Sequence, residues 1–572
     1  MKQNAIKTLV VASATALVLA SCGGKFKIAQ EQVSVDPGTL AVRGDAVPAK
    51  ISLAFPSKSF PRKGKLRVTP VLRYQGGEKW GKAHEYQGDN VYGNEQVVFY
   101  KGGANAVINF SVPYTPAMHK SELYLVFDGS VGSRKAKLPE FKIADGVNAT
   151  EALATIGGIL PAVAPHGFQR VIKEAYDADI MFQIQQANVR GSELKKEEIE
   201  EWKNLVQNAK ETPNQNVSVE VQSYASPDGG RQLNEKLSEQ RERNTTASLK
   251  QEFRKQQMAD VAIDAHYTAQ DWDGFRKLVE ASDLPDKELV LRVLSMYPDP
   301  EQREREIKNI SAVFRQLADD VLPKLRRSRL IANVEIIGKS DAEIQEWVEK
   351  APGHLSIEEL LYAAELAETT ESKMRIYQLV MRIFPKDYRA YNNMGGLLFS
   401  AGKYAEADSW FNKAAARTDN EVTKLNRGLI ALSKGEKERA TEFIASGLNV
   451  PELGQALGYL YLKQGEYAKA ETAFAETIST NAVVAQVLNG NYAKALQTLA
   501  AIKTPTATTQ LLSAIVAART GDTNALLSSL KSAISLDPSL ALSVATNPEF
   551  AKYSKLDSFT QLLSGATNQI LR

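Results

Sequence analysis

The sequence predicts a multidomain chain: an N-terminal all-β sandwich, a central α+β domain and a C-terminal all-α array of helical repeats. Three observations carry that expectation. The chain has 572 residues, 43 % apolar and 24 % charged, a globular composition on a length beyond the roughly 250–300 residues at which single cores stop growing. Its hydrophobic pattern changes period twice, from alternation, through a mixture, to helical spacing. Within the helical part, small and aromatic residues recur at the intervals of helix-pair repeats. Charge and cysteine content narrow the function classes further. A net charge of +3 leaves no electrostatic footprint for nucleic acid. A single cysteine makes neither an intramolecular disulfide nor a cysteine-rich zinc site.

The N-terminus accounts for that cysteine. Lys2 and Lys7 flank the start of an unbroken run of apolar and small residues, Leu9 to Ala20. The run is too short to cross a hydrocarbon core of about 30 Å and fits the core of a signal peptide. It ends in Leu19-Ala20-Ser21-Cys22, which resembles the lipobox of bacterial lipoproteins. The resemblance implies that residues 1–21 are removed and that Cys22 carries lipid on its thiol and acyl on its freed amine. Several chains, at about 0.8 kcal/mol per buried methylene, make a durable anchor. Gly23, Gly24, Lys25 and Lys27 then read as a flexible tether over 22–32. No later apolar run is long enough to span a membrane. The short run Ala152 to Val163, broken by Gly and Pro, reads as a packed or exposed linker within 149–167.

Residues 33–148 read as the sandwich. Short alternating runs at Ala49–Phe55, Lys65–Tyr74, Gln96–Tyr100, Ala106–Val112 and Ser121–Phe127 are separated by Pro, Gly and Asn clusters such as Pro37-Gly38 and Gly76-Gly77, the grammar of antiparallel strands and turns. His84 and His119 stand alone and read as surface or hydrogen-bonded residues.

Residues 168–340 mix the two periods. Strands are expected at Asp179–Asn188, Val217–Tyr224, Val261–Tyr267 and Ser328–Ile336. Between them lie a charged amphipathic helix from Ser192 to about Ala209 and a second helix through Leu233, Leu237, Arg241 and Leu249. The order gives an α+β sheet with helices on one face. The second helix reads Asn234-Glu235-Lys236-Leu237-Ser238-Glu239-Gln240-Arg241, after a strand ending in Ser223-Tyr224-Ala225-Ser226 and a turn Pro227-Asp228-Gly229-Gly230. This is similar to the OmpA-like domain, whose helix motif matches up to the Arg; Arg326-Arg327-Ser328 resembles its closing turn. The resemblance implies peptidoglycan binding through the diaminopimelate of the stem peptide. Arg241 would grip the carboxylate in a bidentate bond, with Asn234 in the same motif. Ser226 stands where the family has the Asp that receives the amine, and Asp228 is the alternative acceptor. An insertion over about 270–325, with helical patterns at Asp271–Ala281, Asp286–Met296 and Glu301–Leu322, would cover the ligand pocket or carry a partner.

Residues 355–572 are helical throughout. Tyr391, Met394, Gly395 and Leu398, then Ala407, Phe411 and Ala414, form one unit. Gly428, Ala440 and Ile444 repeat it, and Gly458, Tyr461, Ala470 and Phe474 repeat it again. The pattern resembles the tetratricopeptide repeat. The resemblance implies a solenoid with a C-terminal cap from Leu540 to Leu563 and a concave groove for other proteins. Arg389, Asn392, Phe399, Leu432, Gln455 and Tyr459 fall at groove-facing positions in the family's register.

No nucleophile elbow, zincin motif, phosphate loop or dinucleotide fingerprint occurs. The five histidines, 84, 119, 166, 266 and 354, contain no i,i+4 pair. No catalytic residue, metal site or cofactor is therefore expected, and the chain is not expected to be an enzyme. The expected function is a lipid-anchored outer-membrane scaffold, facing the periplasm, that meets peptidoglycan and recruits envelope proteins. The alternatives are an accessory subunit of an outer-membrane assembly or secretion complex, with a β-barrel partner and no peptidoglycan binding, and a surface-displayed lipoprotein in adhesion.

Overall fold

A computed structural model of the chain describes residues 25–284, 286–309 and 311–570. Cys22 and the signal sequence lie outside the described residues. The chain divides into two compact units, one formed by residues up to Pro165 together with Tyr377 onward, the other by His166–Ile376.

The first unit begins with the sandwich. Its smaller sheet is ordered Val33–Asp36, Ala46–Phe55, Ala104–Pro113. The larger runs Thr39–Ala41, Phe141–Asn148, Ser121–Val131, Gly64–Tyr74, His84–Gly88, Gln96–Val98, with two further short strands paired to it. All five expected strands are present. Alternation explains them: Ile51, Leu53 and Phe55 face inward opposite Ile108 and Phe110 and share one core with Leu123, Leu125 and Phe127 of the larger sheet. The expected tether is shorter than its glycines suggest. Phe26 is buried in this core, its ring edge-on to Phe60 at 4.9 Å, and the Lys27 amide donates to the Ser59 carbonyl at 2.8 Å. The described chain is thus held from Phe26 onward, because burying one aromatic side chain in a core offsets the entropy of ordering its neighbours.

In the same unit, five helix pairs follow one another: Arg389–Ser400 with Tyr404–Ala415, Glu421–Ser433 with Lys437–Ile444, Leu453–Lys463 with Tyr467–Phe474, Thr480–Leu488 with Tyr492–Ala501, and Ala507–Thr520 with Thr523–Leu536. The repeated glycines sit where the two helices of a pair touch. A Cβ on Gly395, Gly428 or Gly458 would lie 2.7, 2.6 and 2.7 Å from Phe411, Ile444 and Phe474, inside any tolerable contact. Leu540–Thr546 and Asp557–Ile570 end the array.

Sandwich and helical array, expected as separate domains, are fastened by buried charges. Glu151, fully buried, accepts from the amides of Gly44 at 2.8 Å and Asp45 at 3.1 Å and from the Tyr467 hydroxyl at 2.8 Å. Asp45 also pairs with Lys463 at 2.8 Å. Glu549 accepts from Asn148 and Thr150, both at 2.6 Å, and pairs with Arg519. Burial alone would push the Glu549 carboxyl up, but the hydrogen bond and charge of Arg519, joined by Thr150 and Asn148, hold it below its ordinary range. Its folded-state pKa lies below its unfolded value. The stability it supplies is therefore complete above the ordinary carboxylate pKa of about 4.3 and is lost as pH falls through the lower folded value. Denaturant midpoints measured from pH 7 downward are expected to fall in that window, and Glu549→Gln is expected to flatten the fall; equal slopes in both proteins would remove this carboxylate from the explanation.

The second unit holds a four-stranded sheet ordered Val171–Met181, Arg327–Ile337, Gln215–Tyr224, Ala262–Thr268, antiparallel except for the last pair. Helices Glu197–Glu211 and Arg231–Lys255 share a core with it: Ile199, Trp202, Val206, Leu249 and Phe253 meet Ile180, Val219, Val221 and Leu330. The first strand lies upstream of its expected place, and only Asp179–Met181 coincide. Its first seven residues are exposed at the sheet edge, so no burial pattern marks them. The insertion builds its own small core of Phe275, Val279, Val290, Leu294, Ile307 and Leu317. Helices Trp272–Glu280 and Lys287–Met296 occur as expected, and the third expected span is helical over 300–309 and 311–320, with residue 310 outside the described residues.

Candidate functional site

In the second unit the four residues singled out for ligand binding come together at the end of the Gln215–Tyr224 strand. The buried stripe of the 231–255 helix is polar up to Thr245, with Asn234, Ser238, Arg241 and Thr245 facing inward before Leu249 and Phe253, and Leu233 is 53 % exposed. Asn234 donates its amide to the carbonyls of Ser226 at 3.0 Å and Gly229 at 2.8 Å, fixing the 226–230 turn. The Ser226 hydroxyl donates to Asp228, whose carboxylate also pairs with Arg326 at 3.3 Å.

Arg241 is fully buried. Its Nε donates to the Gln186 carbonyl at 2.9 Å, Nη1 to Tyr224 at 2.8 Å and Nη2 to Gln183 at 3.3 Å, and its guanidinium lies 4.9 Å from the Phe182 ring centroid. Burial, then the charge of Arg326, lowers its pKa to about 10 against the opposing pull of Asp228. Arg241 therefore ties the 183–186 loop to the end of a strand. The charged pair at the rim is Arg326–Asp228, with side chains 12 % and 18 % exposed. Arg326 belongs to the closing turn, and its proximity to Asp228 is not legible from a separation of 98 residues. The insertion sits over the same turn: Pro227 and Asp228 line a small depression with Trp272, Phe275, Ile307 and Leu317. Asp271 at its start is buried and pairs with Arg327 at 3.1 Å.

The groove of the helical array is filled by this chain's own residues 154–164. Three asparagines each hold one residue of that segment by both its amide and its carbonyl. Asn393 accepts from Ala164 N at 2.8 Å and donates to its O at 3.0 Å. Asn426 does the same to Ala162 at 2.8 and 2.8 Å, and Asn481 to Thr155 at 3.0 and 2.9 Å. The strap's small residues permit this approach: Ala154, Ala162 and Ala164 are buried against the helices, while Leu160 and Val163 point outward, 60 % and 58 % exposed.

The expectation of a groove open to another protein at Arg389, Asn392, Phe399 and Tyr459 is corrected accordingly. Asn392 is fully buried and donates to the Ala162 carbonyl at 2.9 Å. Arg389 pairs with Asp387 at 3.0 Å. Phe399 packs on the Tyr404 ring at 5.1 Å, and Tyr459 is buried, which pushes its phenol up. Asn393, Asn426 and Asn481 were not among the expected residues. The one signal in the sequence is the 34-residue spacing, one repeat length, of the clamp Asn426 and Asn392, which bonds the same Ala162 carbonyl. Among the described residues there is no metal-type cluster of His, Cys, Asp or Glu, and no helix is long and apolar enough to cross a membrane.

Residues 388–420 match the tetratricopeptide repeat family. No curated protein matches the sequence. Among solved structures, the chain is similar to a tetratricopeptide repeat protein from Parabacteroides merdae, at 13 % identity over 40 % of this chain and 91 % of that one, TM-score 0.28. It is similar to pilF of Pseudomonas aeruginosa at 14 % identity, over 40 % and 100 % of the two chains, TM-score 0.27. For yeast Tom70 the values are 11 % identity, 59 % and 75 %, TM-score 0.25. The chain is thus a multidomain protein with a β-rich N-terminal region and a tetratricopeptide-type helical region, a class of repeat that serves protein–protein interaction.

Proposed function

We propose that this protein is a non-catalytic, lipid-anchored scaffold of the bacterial outer membrane. Cys22 carries the anchor, an OmpA-like central unit contacts peptidoglycan, and the solenoid recruits envelope proteins through surfaces outside its own filled groove. The observation that carries the scaffold reading is the strap: the groove that would receive a foreign peptide holds sandwich, linker and solenoid together as one body. Support for the OmpA-like reading comes from the Asn234–Arg241 motif on the helix after the second strand and from the β-α-β-α-β order closed by a fourth strand. In this reading the rim pair Asp228 and Arg326 meets the amine and carboxylate of the stem peptide, Asn234 positions the turn that carries Asp228, and Arg241 holds the strand end before it.

Co-sedimentation of the purified protein with peptidoglycan sacculi tests the proposal. Retention is expected to be competed by free diaminopimelate and to drop at least about tenfold in Asp228→Asn/Arg326→Gln, the loss of two charge-assisted contacts. One observation favours a second reading, an assembly subunit without peptidoglycan binding: the three bonds of Arg241 and the pairing of Asp228 with Arg326 already occupy the charges of the site. Wild-type protein left in the supernatant, together with a co-purifying β-barrel, would select it.

A further inference from the structure

The sandwich has two ends of different character. At one end Asp45 and Gly44 are held by Lys463, Lys437 and Glu151 against the solenoid. From there the strand Ala46–Phe55 runs ten residues, roughly 30 Å at about 3.3 Å per residue, to the end where the chain enters at Phe26.

That far end is basic. Lys25, Lys27, Lys58, Arg62, Lys63 and Lys101 are all exposed there. Backbone bonds bring them together: Lys27 N to Ser59 O at 2.8 Å, Lys58 N to Tyr100 O at 2.7 Å, and Gly132 N to Lys63 O at 3.0 Å. The Arg62 guanidinium lies 5.2 Å from the Tyr100 ring centroid. None of the six has a carboxylate partner among the described residues. Of the nearby acids, Asp89 accepts from the Tyr100 amide at 3.2 Å, and Glu95 is exposed. Two aromatic rings project from the same end, Tyr92 at 104 % and Phe99 at 59 % exposure. Unpaired cations beside exposed aromatics are the composition of a surface that sits at a headgroup region, where rings are half-solvated and cations meet phosphate.

We infer that this end of the sandwich docks on the anionic lipid headgroups of the membrane, a surface that rests on the anchor reading for Cys22 and extends it. Three residues, Gly23, Gly24 and Lys25, separate Cys22 from the buried Phe26. Four extended steps reach at most about 14 Å, so an acylated Cys22 holds the basic end close to the headgroups, within reach of their surface potential. The sandwich then acts as a spacer that sets the solenoid roughly 30 Å away from the bilayer.

The test uses the mature chain carrying Cys22→Ser, so that binding does not depend on acyl chains. It is expected to co-sediment with vesicles of phosphatidylethanolamine and phosphatidylglycerol, not with phosphatidylcholine alone, and to release as salt rises. Lys58→Glu/Arg62→Glu/Lys63→Glu/Lys101→Glu is expected to bind at least about tenfold more weakly. Reversal of Lys469, Lys503, Lys531 and Lys555 on the solenoid is expected to change nothing. Equal binding by the four-fold variant of the sandwich, or no binding of the parent to anionic vesicles, overturns the inference. The anchor reading fails separately, on a mature Cys22 without lipid by mass spectrometry, which leaves the vesicle result standing.

Discussion

Replacing Asn393, Asn426 and Asn481 together by alanine is expected to release residues 154–164 from the solenoid and make them the first site of proteolysis in the chain. Asn393 and Asn426 each satisfy one buried amide and one buried carbonyl of the strap, and Asn481 a partly buried amide and carbonyl. A buried polar group left without a partner costs about 1–3 kcal/mol, so the triple variant loses on the order of 4–6 kcal/mol of strap docking once water re-enters. Asn426 is the most consequential single position, because its amide also donates to Asn392 at 2.9 Å. Asn426→Asp separates hydrogen bonding from shape. It keeps an acceptor for the Ala162 amide but sets a carboxylate against the Ala162 carbonyl, and is expected to loosen the strap nearly as much as alanine. Amide exchange at Ala162 and Ala164 reads the outcome. Protection unchanged in the triple variant would mean that apolar contacts of Ile159, Ala162 and Ala164 hold the strap without the clamps.

The second large effect is at Arg241. Arg241→Ala is expected to destabilise the second unit by about 3–5 kcal/mol, since it strands three carbonyls in a buried site and leaves a cavity beside Phe182. Arg241→Lys keeps the charge, but one ammonium on a flexible stem cannot span carbonyls on residues 183, 186 and 224. It is expected to lose most of the same stability. Urea unfolding, with amide exchange across 183–187, measures both. A lysine variant as stable as the wild type would show that the guanidinium is dispensable to the fold and available to a ligand.

Of the residues in these two predictions only Arg241 stands out in the sequence, and its partners do not. Asn234 and Arg241 stand in a recognisable motif, yet Leu233 at the start of their helix is solvent-exposed, and polar Asn234, Ser238, Arg241 and Thr245 are buried ahead of Leu249 and Phe253. Helical spacing says which residues share a face; it does not say which face meets the sheet when both are mixed. Asn392 is expected from the sequence to face an open groove, but its amide donates to residue 162, 230 positions earlier. The strap itself, small residues broken by Gly and Pro, carries no period, because its regularity lies in contacts with other helices and not along its own axis.

What the sequence determined by itself is therefore local. Alternation set the sandwich strands, helical spacing and small-residue repeats set the solenoid pairs, and the Gly395, Gly428 and Gly458 positions set how closely their helices cross. Only the tertiary structure decided that the sandwich rests on the solenoid through Glu151 and Glu549, that the groove is closed from within, and that Phe26 shortens the tether. The physical reason is range. Periodicity arises from backbone geometry over a few residues, whereas pairing a buried carboxylate or amide with its donor depends on the whole path of the chain between them.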